Sequence, residues 1–155
     1  MPLIFNIVRI RLTKIFTFEM AHALPGYDGA CRHIHGHSFR LEVCVLGEPL
    51  QQPGHPKNGM VMDFKILKNL VNEAFVSKYD HALVLPETVA PEVLNALELH
   101  FGQVLPLPFQ PTCENMIALC VEALRPKMPP GVELWSVRLS ETATSFAEWC
   151  AADKA

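Results

Sequence analysis

The chain has 155 residues, half of them hydrophobic and 19% charged, with a net charge of −3 when its histidines are neutral. That length bounds residues 1–155 to one domain, and the composition excludes a disordered tail and supports a full core. The charge offers no electrostatic footprint for nucleic acid, and no apolar run reaches the roughly 18 residues of a membrane span. So apolar a composition in so small a chain also points to subunit contacts. The opening MPLIFNIVRIRL carries its arginines after the apolar stretch and shows no small-residue cleavage site, so it does not read as a signal peptide. Five cysteines without a regular framework point to a reducing, cytoplasmic compartment.

The first element in chain order is extended. Val8, Ile10, Leu12, Phe16, Phe18, Met20 and His22 share one parity, the mark of a strand with one buried face. A Gly/Asp loop at Pro25–Ala30 follows, and a second strand from about His37 to Gly47 sets Phe39, Leu41, Val43 and Val45 on one face. Glu48–Gly59, with three prolines and two glycines, is a connection. Asp63 stands where an N-cap belongs, before Phe64, Leu67, Leu70, Val71, Ala74 and Phe75, whose spacing predicts an amphipathic helix to about Lys78. A shorter helix is expected near Pro91–His100. Thr112 caps the next long helix, with Met116, Ile117, Cys120, Val121 and Leu124 as its stripe and Pro126 as its end. Val132–Glu141 and Ala143–Cys150 alternate as two final strands. Four mostly antiparallel strands with two long helices on one face make an α+β layer fold.

The histidines cluster. Cys31-Arg-His33-Ile-His35-Gly-His37 puts His35 and His37 on one face of the second strand, and Gly36 between them removes bulk near a metal. His22, at the end of the facing strand, comes alongside them if the two strands pair. Three imidazoles leave one tetrahedral position open, the catalytic style of zinc site. A second reading stands beside it, in which Cys31 is the fourth ligand of a structural zinc. His33 is out of register and reads as a support for the ligands, whereas His55 and His100 read as solvated. Cys44, Cys113, Cys120 and Cys150 read as small apolar residues.

Two further groups are candidates. Asp80-His81 follows the first long helix, and its carboxylate can orient the imidazole for acid–base work; an ordinary helix terminus is the alternative. Glu141 ends the strand of Trp135, Val137 and Leu139 and shares their face by parity, where a carboxylate needs a partner with paired N–H donors. Glu114, in the first turn of the Thr112 helix, can equally serve the helix N-terminus.

Taken in order, Phe18-Glu-Met-Ala-His22, Cys31-x-x-x-His35-Gly-His37, Gly59-Met-Val-Met-Asp63-Phe64, Asp80-His81, Pro111-Thr112-Cys-Glu114-Asn115 and Glu141-Thr142 resemble the 6-pyruvoyltetrahydropterin synthase family, in particular its 6-carboxytetrahydropterin synthase branch. The resemblance covers Phe16 to Trp149 and implies a tetrahydropterin-type T-fold of ββααββ order. It implies trimers closed into barrels and stacked as homohexamers, with active sites between subunits. It assigns His22, His35 and His37 as Zn²⁺ ligands and Cys31 as the catalytic cysteine. Asp80 and His81 complete the triad, supplied by a neighbouring subunit. Glu141 anchors the pterin ring, and Thr112 and Glu114 also contact it. Two departures stand out: Cys113 replaces a threonine-like residue, and Ala82-Leu83-Val84-Leu85 lacks a polar residue often found there.

The implied substrate is 7,8-dihydroneopterin triphosphate, and the implied products are 6-carboxytetrahydropterin, acetaldehyde and triphosphate, on the way to 7-deazaguanine compounds and queuosine. The three-residue spacer between Cys31 and His35 resembles the carboxy branch. The rival is the 6-pyruvoyl product, formed without carbon loss. A reading of another class is a non-catalytic, zinc-stabilised binding protein.

Overall fold

The alternation in the first segment becomes strand β1, Ile10–His22, in a computed structural model that describes residues 8–153. The first seven residues, which open the stretch read against a signal peptide, lie outside the described residues. Strand β2 is His35–Gly47, two residues longer than expected, and pairs antiparallel with β1 from Ile10↔Gly47 to His22↔His35. Strands β3 (Ala82–Pro86), β4 (Val104–Leu107), β5 (Val132–Ser140) and β6 (Phe146–Cys150) complete one sheet in the order β4-β3-β1-β2-β5-β6.

The expected four strands are therefore six. β3 and β4 run parallel to β1 and to each other, while β1, β2, β5 and β6 form the antiparallel part. Their segments, ALVLP and VLPL, are too short and too evenly apolar to show a period of two, and their prolines read as connection. Their burial also explains why no polar residue follows Leu83: Val84 and Leu85 are core.

Helix α1, Phe64–Val71, starts where Asp63 accepts a hydrogen bond from Lys65 N at 2.8 Å. It continues through a π-helical segment, Asn72–Val76, and a last turn, Ser77–Tyr79. The wider π turn re-phases the helix, so that Phe75, Val76 and Tyr79 are all buried. Helix α2 is Pro91–Phe101, and α3 is Cys113–Leu124, capped by Thr112 Oγ1 accepting from Asn115 N at 3.2 Å. The whole expected stripe of α3 is buried.

One sheet face makes the core. Phe16, Phe18, Met20, Phe39, Leu41, Val43 and Val45 pack against Leu67, Val71 and Phe75 and against the α3 stripe, with Phe18 stacked on Phe39 at 5.3 Å between centroids. Truncating one such residue, as in Leu124→Ala, typically costs ~2–5 kcal/mol. Some expected placements differ. Val8 and Ile10, expected on the buried face, are exposed at the start of the row. Phe64 is half-exposed beneath the Lys14 ammonium. Trp135 faces the opposite side from Val137 and Leu139, under the Arg11 guanidinium at 4.6 Å, because a bulge opposite Cys44/Val45 inserts one residue into β5.

Candidate active site

The core face of the sheet ends in imidazoles. His22 continues the row of Phe16, Phe18 and Met20, and His35 and His37 continue that of Phe39 and Leu41. The register sets His22 directly opposite His35 and Met20 opposite His37. Their ligand atoms all lie within 4.8 Å of one another. His22 is 2% exposed, and Nδ1 of its ring donates to the Pro111 carbonyl at 2.8 Å. His35 Nδ1 donates to the His33 carbonyl at 2.7 Å. Carbonyls only accept, so both Nδ1 atoms carry protons, and the neutral form of each ring presents its lone pair at Nε2, the two Nε2 atoms being 3.1 Å apart. Two facing lone pairs repel unless a cation lies between them. Tetrahedral metal–imidazole bonds of ~2.0–2.1 Å put ligand nitrogens roughly 3.3 Å apart, so the donor set fits a metal ion. His33 supports the site through its main chain, its ring being exposed. Gly36 lies in regular strand, where an added Cβ would meet nothing nearer than 3.5 Å, so the bulk argument for it fails.

Beside the imidazoles is a cleft of about 280 Å³ lined by His22, Tyr27, Cys31, Thr112, Cys113, Glu114 and Glu141, among others. Glu141, one residue past β5, holds its carboxylate 3.6 Å from His22 Nε2. Its main-chain N–H donates to Ser145 O at 3.1 Å, closing the β5–β6 turn. Thr112, which lines the cleft, accepts the helix-cap bond at Oγ1 and keeps its own proton free to donate. Cys31 sits in a single 3₁₀ turn, Ala30–Arg32, tied back by Leu24 N donating to Cys31 O at 2.9 Å. It lines the cleft but stands outside the group of mutually close ligand atoms, which among the described residues is the three histidines.

Asp80 and His81 are paired elsewhere. His81 Nδ1 lies 3.0 Å from Asp80 Oδ1, and both residues are anchored on β1. Glu19 N donates to Asp80 Oδ1 at 2.9 Å, and His81 N donates to Glu19 O at 2.6 Å. His81 holds φ +62°, a left-handed conformation that non-glycine residues take at a cost, here held by those two bonds. The imidazole borders a second groove with Glu19, Ser38, Phe101 and Gln103, and that groove shares no lining residue with the Cys31 cleft.

The sequence reading missed the Pro111 and His33 carbonyls, whose main-chain atoms leave no trace in residue type. It also missed Tyr27, which lines the Cys31 cleft. Gly29 makes room for that ring, since a Cβ there would meet Tyr27 Cε1 at 2.5 Å. Cys113 is more than filler: its thiol donates to Leu139 O at 3.2 Å, and burial pushes its pKa up to about 11. His55 is half-buried and accepts from Lys57 N at 3.1 Å, whereas His100 is exposed as expected.

Comparison with known proteins supplies an independent line. The family model described as 6-pyruvoyl tetrahydropterin synthase matches residues 11–151. The 6-carboxy-5,6,7,8-tetrahydropterin synthase of Haemophilus influenzae is 34% identical over 141 residues, covering 90% of this chain and 97% of that protein. The protein of the same name from Synechocystis is 35% identical over 136 residues, covering 88% of this chain and 89% of its own length. Among solved structures, an uncharacterised protein from Wolinella succinogenes superposes with a TM-score of 0.68 at 21% identity, covering 93% of this chain and 99% of its own. The 6-pyruvoyl tetrahydropterin synthase of Caenorhabditis elegans gives a TM-score of 0.66 at 22% identity, covering 96% of this chain and all of its own. At such identities the structural likeness shows the fold.

Proposed function

The chain belongs to the 6-pyruvoyl tetrahydropterin synthase family, a family of pterin-processing enzymes, and from that premise we propose that it is a zinc-dependent 6-carboxytetrahydropterin synthase. The observation that carries the reading is the close set of His22, His35 and His37, of which His22, together with Glu141 3.6 Å from it, lines the cleft of Cys31. The substrate is 7,8-dihydroneopterin triphosphate. With one water it gives 6-carboxytetrahydropterin, acetaldehyde and triphosphate, which makes the enzyme a lyase. The carboxy name of the Haemophilus and Synechocystis relatives and the three-residue spacer before His35 favour this product over the pyruvoyl one. Such a product feeds 7-deazaguanine and queuosine synthesis in the cytoplasm.

The three imidazoles would hold Zn²⁺ with one position open, and the ion would lower the pKa of substrate hydroxyls bound there. Everything else falls to the side chains. The Glu141 carboxylate accepts the adjacent N–H donors of the 2-amino-4-oxo pyrimidine edge, which fixes the ring and thereby which side-chain carbons face Cys31. Thr112 donates its hydroxyl proton to the same ring, and Glu114 at the helix start flanks it. Cys31, as thiolate, moves a proton at the side-chain carbons. His81, oriented by Asp80, is the acid–base partner, and such positioning is typically worth about 10²–10⁴-fold. Because Cys31 and His81 line separate grooves within one chain, the reading places them together across a subunit interface, in a homohexamer of two stacked trimers.

Incubation of purified protein with dihydroneopterin triphosphate tests the product. Acetaldehyde and triphosphate in equal amounts are expected. Triphosphate without acetaldehyde would overturn the carboxy assignment in favour of the pyruvoyl one.

A further inference from the structure

Helix α2 has an unusual environment. None of its eleven residues is buried, and its N-cap, Ala90, makes no side-chain capping bond. Isolated helices of this length are marginal in water, so most helical stability comes from packing on a neighbour. Yet Leu99 and Phe101, at its C-terminal end, are each 81% exposed, more than any other large apolar side chain among the described residues. The exposure is not scattered, because Phe101 borders the groove that holds His81.

The sheet indicates what covers it. β6 is an edge strand, and β1 is joined to β3 only through Met20–His22, with Glu19 bonded to Asp80 and His81, so Ile10–Phe18 has an open outer edge. Through β2 and β5, each step antiparallel, β6 runs opposite to β1. If β6 of a second copy continues the alternation on that open edge, its first residue, Phe146, points toward the Glu19 end of β1. That is where His81 is anchored and where α2 ends. Phe146 and Tyr27, 55% and 49% exposed, line the Cys31 cleft. On that arrangement the apolar end of α2 comes to the apolar mouth of a neighbouring chain's cleft.

We propose that the C-terminal turn of α2 is a docking surface for a second copy of this chain, on which Leu99 and Phe101 cover Tyr27 and Phe146 and wall in that copy's cleft. The proposal rests on the shared-site reading above and adds to it an element outside the metal and proton-transfer machinery. Both partners being apolar and rimmed by polar groups, the contact has the composition of an interface core.

Placing the photo-cross-linker p-benzoylphenylalanine at position 101 tests it, with ¹⁵N-labelled and unlabelled chains mixed by subunit exchange. Mixed-isotope cross-links to the peptides containing Tyr27 or Phe146 are expected. Cross-links confined to one chain, or to other surfaces, would overturn the proposal. Independently, Leu99→Ser/Phe101→Ser should raise KM about tenfold with metal content per chain unchanged, and an unchanged KM counts against it. Mixing Cys31→Ala with His81→Ala chains separates the two ideas. Recovered activity without cross-links leaves the shared site standing and removes the docking role of α2. Cross-links without recovery keep the docking and remove the shared site.

Discussion

At His22, opposing influences act on one imidazole. Burial lowers its pKa below 6.5, while the Pro111 carbonyl and Glu141 push back less strongly. The unfolded chain takes up this proton near pH 6.5 and the folded chain only at lower pH. Stability is therefore full above pH 6.5 and falls as the pH drops below it, with a slope no steeper than about 1.4 kcal/mol per pH unit from this residue. Thermal melts of metal-stripped protein between pH 5 and 8 should show that decline, and His22→Asn should flatten it. The cysteines separate in the same way. Burial pushes Cys113 up to about 11 and Cys120 up to about 12, so both remain thiols near neutral pH. Iodoacetamide at pH 8 should label Cys31 on its 3₁₀ turn and leave Cys113 and Cys120 unmodified, as peptide mass spectrometry would show. Cys31→Ala distinguishes catalyst from ligand. Retained metal and lost turnover are expected, whereas lost metal would return Cys31 to the structural-zinc reading.

Elements place these residues, and their ends matter more than their middles. Asp63 and Thr112 both cap helices as their residue types predict, but Thr112 also faces the cleft. Thr112→Ala should cost about 1 kcal/mol of stability and raise KM. Thr112→Asn keeps a cap while losing the hydroxyl, so it should restore the melting temperature and leave KM high. If Thr112→Asn restores both, the hydroxyl has no part in binding. Element by element, the long periodic stretches were legible and the short ones were not. β1, β2 and α3 carry enough repeats to show a period. β3 and β4 have five and four residues and reveal themselves only by pairing with β1 and with each other. The π turn at Asn72–Val76 is invisible to any fixed helical period, and so is the β5 bulge that sends Trp135 to the far face.

On the scale of the whole molecule, the proposed site is in two halves: the cleft lined by His22, Cys31 and Glu141 shares no lining residue with the groove lined by His37 and His81. Exposed apolar side chains border both halves: Tyr27 and Phe146 on one, Phe101 on the other. If activity needs both halves, it depends on assembly, and specific activity should fall on dilution and return on concentration. Enzyme assays run alongside sedimentation measurements would show it, and full activity in a sedimenting monomer would refute the shared site.

Residue type and spacing by themselves determined the α+β class, both long-helix caps and the three-histidine set, because each is a local pattern repeated or paired along the chain. They also marked Glu141 as a carboxylate needing a partner, since parity alone puts it on the apolar face. Tertiary structure alone decided the rest. Which carbonyls orient the imidazoles, that Cys31 lines the cleft outside the ligand group, and that His81 faces another groove all depend on strands brought side by side from distant sequence. Main-chain acceptors have no residue signature, and the separation of two clefts is a property of the sheet. The apolar half of the composition reads differently for the same reason. Part of it fills the core, and part, at Leu99, Phe101, Tyr27 and Phe146, stands exposed where one chain's fold runs out of partners.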